Sequence, residues 1–552
     1  MARTPLLSRF QELFADFDEA ARSGRTVESV QEERRQMRLT RRDFLKVGGA
    51  AVGAAALSGP MTAFAAPHRT GGTQGRIAII GGGISGLNAA LTLQDAGITS
   101  TVYEASGRVG GRMHSDTTSW LNGQTSEHCG ELIDTGHTTI LSLAQRFNLP
   151  VVNLHNAEPP NSTETYFFGG SYYTAAQANK DFEPVFDRLT ADNNAAPFPT
   201  LYNSFNEAGS DLDHMSVYQW IESRVPGGHS SKMGQLLDVA YNIEYGNVTT
   251  QQSSLNLVYL LFNTRQFVVF GASDETFHIA GGNERLPKAI RAALPPSSVK
   301  LKTRLSGIVH NQDNSYRLTF DAPEGTINVT ADRVIMAIPF SVLRTILAGD
   351  ASYRAAGFTA LKQTAITQLG YGKNAKLQLQ FDDRFWDQRG PWGVSTGTSY
   401  SDTGYQNAWD VTRAQAGSTG IMVDYTGGGV PLSSFTGDAD DPAVVAGFAR
   451  TFLDQVEDVF PGLSRHWNGR ATLDVPLNNP FLLGSYSYWK VGQYTLFSGY
   501  EGARQPDITI GKCHFAGEHC STNFQGFMEG GAEEGARAAN EILSDYTAGI
   551  FP

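Results

Sequence analysis

The stretch that decides the fold is RIAIIGGGISGLNAALTLQDAGITSTVYE, residues 76–104. An apolar run typical of a buried strand, Arg76-Ile-Ala-Ile-Ile80, leads into Gly81-Gly-Gly83-Ile-Ser-Gly86. A helical pattern then runs from Leu87 to Gly97, and a second β-rich run, residues 99–103, ends at Glu104. Strand, glycine turn, helix, strand and acid in this order are the context in which G-x-G-x-x-G indicates a dinucleotide-binding βαβ unit.

The glycines and the acid of this motif each have a physical role. Gly81 permits the tight turn, Gly83 lets backbone N–H groups approach a pyrophosphate, and Gly86 allows the helix to pack closely on the strand. The helix N-terminus, with Ile84 and Ser85, then faces the negative charge. Glu104 is placed to accept hydrogen bonds from ribose hydroxyls and would repel a ribose 2′-phosphate. A glycine-rich turn without a ligand is the alternative interpretation.

The residues after Glu104 indicate whether the dinucleotide cofactor carries nicotinamide or flavin. Arg108-Val-Gly-Gly-Arg112 suits a loop that passes along a pyrophosphate, since arginine gives charge-assisted contacts, although the same residues could form a solvated turn. Residues 104–112, Glu-Ala-Ser-Gly-Arg-Val-Gly-Gly-Arg, closely resemble the second signature of the FAD-binding amine oxidase family. The resemblance implies FAD as the cofactor, with Glu104, Ala105 and Arg112 among the residues that bind it.

Further segments resemble the same family in the right order, up to about residue 543. They are Gly281-Gly-Asn-Glu-Arg-Leu-Pro287, the strand expected over 299–309, Ala331-Asp-Arg-Val-Ile-Met-Ala-Ile-Pro339, Phe515-Ala-Gly-Glu-His519 and Gly526-Phe-Met-Glu-Gly-Gly-Ala532. The resemblance implies that the backbone near Val299 meets the adenine. It implies that Gly517 and Glu518 contact the ribityl-pyrophosphate region, and that Gly526, Phe527 and Met528 lie at the flavin ring, where a helix begins.

This resemblance implies an α/β fold in which a Rossmann-like FAD-binding domain is interleaved with an α+β substrate-binding domain. The expected FAD-binding segments are 67–135, 272–345 and 505–548, and the substrate-binding segments are 136–271 and 346–504. Within the latter, residues 166–173 predict a hairpin that turns at Gly169-Gly170. Residues 140–147 and 444–459 predict amphipathic helices.

Candidate catalytic residues follow from the same resemblance. Lys376 precedes Phe385-Trp386 at the family's spacing, which implies that it holds a water beside flavin N5, while a solvent-facing strand lysine is the alternative. Phe524 and Phe527, with Tyr486 or Tyr488 as the opposite wall, would orient an amine, because aromatic faces attract its partial positive charge. Plain core packing is the alternative for these rings.

Two departures from the family carry information. The segment that holds a flavin-linked cysteine in some members is Gly484-Ser-Tyr-Ser-Tyr488 here, so FAD is expected to be non-covalent. Gly130-Glu-Leu-Ile133 puts Ile133 where venom-type L-amino-acid oxidases place a carboxylate-binding arginine. Glu131 could favour a cationic group or could be a carboxylate that another side chain already pairs.

We therefore expect an FAD-dependent amine oxidase. It would oxidise an L-amino acid or another primary or secondary amine to the imine, which water converts to a keto acid or aldehyde plus ammonia, while oxygen becomes hydrogen peroxide. One alternative is a dehydrogenase that passes the electrons to a protein or quinone, and another is a flavin-binding protein without catalysis. Whether the chain forms a homodimer is left open.

Composition limits the other classes of function. The 552 residues are 41% hydrophobic, which suits packed cores, and 43 basic against 55 acidic residues give a net charge of −12. An acidic chain is a poor general binder of nucleic acid, because phosphate neutralisation needs a basic surface. The three cysteines, Cys129, Cys513 and Cys520, provide no disulfide framework, and the 12 histidines show no metal-ligand spacing.

The first 66 residues indicate an export signal. Arg38-Leu-Thr-Arg-Arg-Asp-Phe-Leu-Lys46 precedes an apolar stretch over 47–57 and the small-residue run Ala63-Phe-Ala65, an arrangement typical of a cleavable signal peptide. Arg41-Arg42 resembles the twin-arginine signal, which implies export to the periplasm or medium by the twin-arginine machinery. The apolar core is too short to span about 30 Å of hydrocarbon as a helix. No later stretch of the sequence approaches a membrane span, so no stable membrane insertion is expected after cleavage. A basic helix beside a linker is the alternative.

Overall fold

The computed structural model describes residues 75–262, 266–271, 273–430 and 434–550. The export signal predicted over 1–66 lies outside these described residues. In the described part of the chain, no helix combines the length and the apolar character needed to cross a membrane.

The strands are short and, in chain order, have the following bounds. They are β1 (Ile77–Ile80), β2 (Thr101–Tyr103), β3 (Ser115–Asp116), β4 (Ser126–Glu127), β5 (Val151–Asn153), β6 (Thr163–Phe168), β7 (Ser171–Tyr173), β8 (Phe277–Ile279), β9 (Val299–Lys300), β10 (Arg304–His310), β11 (Tyr316–Ala322), β12 (Gly325–Ala331), β13 (Arg333–Met336), β14 (Gly370–Tyr371), β15 (Ala375–Phe381), β16 (Ser395–Ser401), β17 (Asn407–Asp410), β18 (Gly420–Thr426), β19 (Trp467–Asp474), β20 (Ser487–Tyr488) and β21 (Cys513–Phe515).

The α-helices of the described residues run from a helix next to the first strand to one near the C-terminus. They are α1 (Ile84–Asp95), α2 (Thr138–Arg146), α3 (Ala175–Ala195), α4 (Glu207–Asp213), α5 (Val217–Arg224), α6 (Lys232–Tyr245), α7 (Ser254–Leu261), α8 (Arg285–Ala293), α9 (Phe340–Ile346), α10 (Gly349–Ala355), α11 (Ala360–Gln368), α12 (Pro442–Val456), α13 (Gln493–Phe497) and α14 (Met528–Thr547).

A five-stranded parallel sheet forms the cofactor half of the fold. Its strand order is β21-β13-β1-β2-β9, and β1 lies between β13 and β2. All four residues of β1 are buried, as expected of a parallel strand covered on both faces. The predicted β1–α1–β2 unit is therefore confirmed, and the three chain segments expected to build the FAD-binding domain each contribute strands to this sheet. The domain boundaries themselves stay predictions.

The C-terminal helix α14 packs directly on α1. A Cβ added to Gly535 would lie 2.1 Å from the carbonyl oxygen of Ser85, so only glycine allows this approach. The Asn88 side-chain amide donates to the Ala532 carbonyl oxygen at 2.7 Å and joins the two helices in their buried contact. Helices α1 and α14, the first and last α-helices of the described residues, therefore pack against each other.

The prediction of one continuous strand over 299–309 is wrong. Residues 299–300 form β9 at the edge of the parallel sheet, whereas β10 pairs with β11 in a separate three-stranded antiparallel sheet. The break is a turn in which Lys302 adopts φ 55° and donates its N–H to the Ser106 carbonyl oxygen at 2.9 Å. Thr303 then donates to the Glu104 carbonyl oxygen at 2.8 Å, which ties the turn to the acidic end of β2.

A seven-stranded mixed sheet forms the other half, in the order β19-β15-β18-β17-β16-β6-β7. The predicted hairpin is confirmed: β6 and β7 pair antiparallel, and Gly169 and Gly170 turn with φ 59° and 70°. Helices α2 and α12 confirm the two predicted amphipathic helices. The apolar face of α12 packs on β15 and β19, and the same core contains Leu377 and Met422.

Candidate active site

A cavity of about 660 Å³ runs from the glycine turn of the parallel sheet to the mixed sheet. Its lining combines the two signature segments near the N-terminus, the turn after β9, the last signature segment, and a group of residues from α6, β15, β16, β17 and β18. Such a long, mostly apolar cavity with a few polar groups is typical of a cofactor site that continues into a substrate site.

The glycine turn forms a cradle for a phosphate group. Gly81 has φ 108°, and a Cβ there would lie 2.6 Å from the Ala337 carbonyl oxygen, while a Cβ on Gly86 would lie 2.0 Å from the Gly81 carbonyl oxygen. By contrast, a Cβ on Gly83 would meet nothing within 4 Å, because this backbone faces the open cavity. Gly83 is also the N-cap of α1 and provides no side-chain cap, so the first N–H groups of the helix remain available for an anion.

Glu104 closes the other side of this cradle. Its carboxylate accepts hydrogen bonds from the Gly82 N–H at 2.7 Å and from the Ser106 N–H at 2.8 Å. The side chain is buried and lines the cavity together with Ala105. A carboxylate held by two backbone donors keeps further lone pairs that can accept from ribose hydroxyls.

The adenine end of the cavity differs in detail from the sequence expectation. Val299 is buried in the apolar core of the parallel sheet and does not line the cavity. Thr303, Arg304 and Leu305 line it instead, since the turn after β9 brings the start of β10 toward Glu104. The sequence pattern did not show where the strand breaks, and the adenine contact itself stays a prediction. Leu305 was missed for that reason.

Arg112 and Glu518 form a buried ion pair in the cavity wall. The Arg112 guanidinium lies 2.8 Å from Glu518 Oε1 and also donates to the Ser485 carbonyl oxygen at 2.8 Å. Burial alone would raise the pKa of Glu518, but the positive charge of Arg112 lowers it below its usual value. Glu518 also accepts from the Ser487 hydroxyl at 2.7 Å and from the Gly526 N–H at 2.9 Å. Glu518 thus joins three segments around the cavity.

The last signature segment brings a helix N-terminus to the cavity. Gly526 has φ 88°, and Phe527 is the N-cap of α14 without a side-chain cap. Gly517, Gly526, Phe527 and Met528 all line the cavity. The uncapped N–H groups and the positive end of the helix dipole can therefore stabilise negative charge on a ligand there.

These features together fit FAD. Two uncapped helix N-termini face the cavity, one at the glycine turn and one at Phe527, and they suit the pyrophosphate and the flavin ring. Gly83 leaves room that any side chain would fill, and Glu104 supplies acceptors for ribose hydroxyls. The buried His519 ring also lines the cavity, and neither of its nitrogens has a hydrogen-bond partner among the described residues.

Lys376 is buried in the cavity wall and does not face solvent. Its Nζ lies 2.6 Å from Glu131 Oε2 and donates to the Glu127 carbonyl oxygen at 3.3 Å. Glu131 Oε1 accepts from the Trp409 indole N–H at 2.9 Å. Burial would raise the pKa of Glu131, but the charge of Lys376 lowers it below its usual value. Glu131 is therefore a paired carboxylate, the second of the two interpretations that the sequence left open.

The aromatic candidates separate into residues inside and outside the cavity. Tyr486 and Phe527 line it, whereas Phe524 does not and packs edge-on against His137 with ring centroids 5.5 Å apart. Tyr488 is buried outside the lining and bonds to the Asn247 side chain. The Tyr486 and Tyr425 hydroxyls lie 2.9 Å apart, which fixes both rings.

Several cavity residues were missed by sequence reasoning. Trp409, Tyr400, Phe270 and Tyr425 line the substrate half, and Glu244 and Glu275 lie among them. These residues come from α6, three strands and a loop, and no motif connects them. The one available signal was the period-two alternation of β18, which places Tyr425 on the same face as its cross-strand partner Lys376. Ile133 is fully buried in the apolar core and contributes no charge to the cavity.

The cysteines do not occupy the position that would attach a flavin. Ser485 stands in that segment, lines the cavity and donates its hydroxyl to Asn374 Oδ1 at 2.6 Å. Cys129 also lines the cavity, and burial raises the pKa of its thiol to about 11, so it is a neutral thiol at physiological pH. Cys513 and Cys520 are buried outside the cavity lining.

The fold and the cavity define a flavin-dependent oxidoreductase with a dinucleotide-binding sheet and an attached substrate sheet. A sequence profile described as "Flavin containing amine oxidoreductase" matches residues 84–543. The chain therefore belongs to the flavin-containing amine oxidoreductase family. The cofactor is FAD, and the protein is an FAD-dependent oxidoreductase that acts on amines.

Relatives and solved structures agree with this assignment. The chain is 25% identical to polyamine oxidase 2 of Arabidopsis thaliana, over 87% of this chain and 90% of that protein. It is 24% identical to the L-amino-acid oxidase of Vipera ammodytes ammodytes, over 84% of this chain and 92% of that protein. The structure of cyclohexylamine oxidase from Brevibacterium oxydans IH-35A superposes with a TM-score of 0.70 at 20% identity, over 86% of this chain and 100% of that one, which confirms the predicted fold class.

Proposed function

We propose that the protein is an oxidase of primary or secondary amines, including L-amino acids, with oxygen as the electron acceptor. The amine and oxygen would give an imine and hydrogen peroxide, and water would then release ammonia and a keto acid or aldehyde from a primary amine. The observation that carries this proposal is the buried Lys376–Glu131 pair, which lies in the wall of a cavity shared by the FAD cradle and an aromatic substrate half.

The cofactor would be held by residues from both ends of the chain. Gly81, Gly83 and the start of α1 would bind the pyrophosphate, and Glu104 the ribose. Gly517, Glu518 and the α14 N-terminus at Met528 would hold the ribityl chain and ring. Bound FAD supplies the acceptor for the two electrons and the hydrogen that leave the amine α-carbon.

The side chains would align the amine and manage its proton. Tyr486 and Phe527 line the cavity, and rigid aromatic walls would restrict the orientations of a bound amine. Oxidation requires the neutral amine, because a protonated nitrogen has no lone pair to assist loss of the α-hydrogen. Lys376 donates to Glu131 and to a backbone carbonyl, and an ammonium has a third N–H that can hold a water. That water would receive the proton of the incoming amine.

Two observations support an enzyme rather than a flavin-binding protein without catalysis. The cavity continues past the cofactor cradle into a half lined by Trp409, Tyr425 and Tyr400, which leaves room for a substrate. The Lys376 charge is held there by two acceptors, although burial of a charged side chain is costly. A flavin-binding protein without catalysis would not need a buried charge at this place.

The test is to incubate the purified yellow protein with amines and L-amino acids and to follow flavin absorbance and peroxide. An oxidase loses its flavin absorbance without air and regains it in air, with one peroxide formed per turnover. Reoxidation only by a quinone or an electron-carrier protein would replace the oxidase by a dehydrogenase. If no amine or amino acid bleaches the flavin without air, amine oxidation by this chain is excluded for the compounds tested.

We also propose export by the twin-arginine pathway, which carries folded proteins. Support comes from the sequence alone, in the Arg41-Arg42 pair, the apolar stretch over 47–57 and the Ala63-Phe-Ala65 site. Detection of the mature chain in periplasm or medium, beginning near Ala66, tests this proposal directly.

A further inference from the structure

Two carboxyl groups in the substrate half of the cavity have no protein partner. Glu244 and Glu275 both line the cavity. Among the described residues, neither side chain accepts a hydrogen bond or forms an ion pair. Burial, and then the charge of neighbouring carboxylates, raises the pKa of both groups. A half-buried carboxyl without partners is costly to keep, so it indicates a ligand group that completes it.

The other acids of the cavity are satisfied by the protein. Glu104 is held by two backbone N–H groups, Glu131 by Lys376 and Trp409, and Glu518 by Arg112. The contrast separates carboxylates that build the cavity from the two that face its contents. Nearby Arg413 does not neutralise this pair by contact, because its guanidinium lies 2.9 Å from Glu158. His155 adds a second contact to the same Glu158 carboxylate at 2.9 Å.

The backbone adds negative potential at the same place. Glu244 is the penultimate residue of α6, whose C-terminal carbonyl groups carry the negative end of the helix dipole. The Ile243 carbonyl oxygen of this last turn accepts from the Tyr486 hydroxyl at 3.2 Å, so the helix end meets the aromatic wall of the cavity. A C-terminal helix end stabilises cations and repels carboxylates.

Glu275 is fixed by a local conformation that few side chains adopt. Its φ is 43°, and its N–H donates to Asp134 Oδ1 at 2.8 Å. Burial first, and then the charge of Asp134, raise the pKa of Glu275 to about 8. Burial and the charge of Glu275 raise the pKa of Glu244 well above its usual value. A cation in contact with both groups would reverse these effects and favour the ionised carboxylates.

Aromatic rings surround the two acids. Phe270 and Tyr400 line the cavity with ring centroids 6.3 Å apart, and Trp409 and Tyr425 meet edge-to-face at 5.2 Å. Burial raises the pKa of Tyr400, and the carboxylates of Glu164, Glu275 and Glu244 raise it further. Carboxylates and aromatic rings that line the same part of a cavity can bind an organic cation together, since ring faces attract positive charge as well.

We propose that this part of the cavity binds a second cationic group of the substrate, with Glu244 and Glu275 as the recognising carboxylates. The favoured substrates are then amines whose carbon chain ends in an ammonium or guanidinium group. This inference rests on the proposed amine oxidation and deepens it. The reacting amine lies as the neutral form between Tyr486 and Phe527, while the distal cation lies at the acids. A diamine and a basic L-amino acid share this chemistry.

The first test compares substrates that differ only in the distal charge. 1,5-Diaminopentane is matched with n-pentylamine, and L-lysine with L-norleucine, and anaerobic flavin bleaching in a stopped-flow instrument gives a Kd for each. In the wild-type holoenzyme the charged member of at least one pair should bind about tenfold more tightly or better, since a charge-assisted contact forms only with that member. The pair that responds tells a diamine from an amino-acid substrate.

The second test removes the carboxylates. Glu244→Gln and Glu275→Gln keep the side-chain size and remove the charge, so the ratio of the two Kd values, which measures the preference for the charged member, should fall toward one. Glu183→Gln, on the exposed face of α3, is the matched control and should keep the full preference. FAD content and circular dichroism of each variant show whether it has folded.

The outcomes separate this inference from the function on which it rests. Bleaching by the neutral amines with no preference for the charged ones overturns the cation site and leaves amine oxidation standing. A preference that survives both glutamine variants assigns the recognition to other residues and also overturns it. If no compound of the panel bleaches the flavin, amine oxidation fails and the inference fails with it.

Discussion

Lys376 Nζ lies 2.6 Å from Glu131 Oε2, and both side chains are more than nine-tenths buried. The two residues are 245 positions apart in the chain and meet in the wall of one cavity. A buried pair of this kind contributes little net stability, because desolvation offsets the attraction, so its value lies in holding a charge in one place. Here the charge is held in the wall of the cavity in which we propose that an amine is oxidised.

Removing Glu131 should therefore damage both stability and catalysis. Glu131→Gln leaves the Lys376 charge buried without its carboxylate, which should lower the free energy of unfolding by about 3 kcal/mol and slow flavin reduction by about tenfold or more. Urea unfolding and anaerobic stopped-flow bleaching measure the two effects.

The double variant Glu131→Gln/Lys376→Met separates these effects. Because no unpaired charge remains, it should recover most of the lost stability but none of the lost rate. Recovery of the rate in the double variant would show that the pair has no part in the reaction.

The glycine turn predicts a loss of cofactor on a minimal substitution. In Gly86→Ala the new Cβ would lie 2.0 Å from the Gly81 carbonyl oxygen, which is far too close, so the turn and the helix must move apart. The purified protein should then contain little FAD, measured by the ratio of absorbance at 450 nm to that at 280 nm relative to the wild type.

Gly447→Ala is the control for that experiment. Gly447 is an exposed residue of α12 whose added Cβ would meet nothing within 4 Å. Its FAD content should be unchanged, and stability should rise by up to about 1 kcal/mol, since alanine favours a helix over glycine. Equal FAD loss in both variants would refute the steric account.

Asp424 predicts a stability that falls as the pH rises. It is buried in β18, and burial raises the pKa of its carboxyl to about 8, above the value near 4 of an unfolded chain. The folded state therefore keeps a proton that the unfolded state loses, and this group's contribution is complete below pH 4 and is lost as the pH rises toward 8, by about 1.4 kcal/mol per unit.

Asp424→Asn should remove that slope. The variant should equal the wild type near pH 4 and exceed it in unfolding free energy near pH 8, because an amide in this position does not ionise. Urea unfolding at a series of pH values measures the difference. A constant difference between the two proteins from pH 4 to 8 would mean that the carboxyl does not titrate in this range.

The proposed export signal can be tested without the fold. Replacing Arg41-Arg42 by two lysines keeps the charge but removes the arginine pair, so the chain should accumulate inside the cell in its uncleaved form. Fractionation with immunoblotting measures this. Lys46→Arg is the matched control and should be exported normally.

The parts of the protein that the sequence could predict are local. Residues 76–104 specify a βαβ unit within one stretch, because glycine positions and hydrophobic periods act over a few neighbours. The hairpin at Gly169-Gly170 followed for the same reason. The turn at Lys302 was not visible, since a single positive φ stabilised by contacts to Ser106 and Glu104 leaves no mark in the pattern.

The substrate half could not be predicted because its parts meet only in three dimensions. Glu244 ends a helix, Glu275 lies in a loop, and Trp409 lies on a strand, and each has an ordinary local sequence. Whether Glu131 was paired also depended on Lys376, far along the chain. Their proximity comes from the packing of the two sheets, which a pattern over a few residues does not encode.

The contact of Gly535 with Ser85 makes assembly of this flavoprotein a late event. A ribosome releases α1 well before α14, so the nascent chain cannot complete the proposed pyrophosphate and ring sites until α14 has been synthesised. FAD binding must then wait for the synthesis of α14, and a stop codon shortly before residue 528 should yield a colourless protein. If the chain leaves the cell folded, FAD has to bind in the cytoplasm after α14 has been synthesised and before translocation.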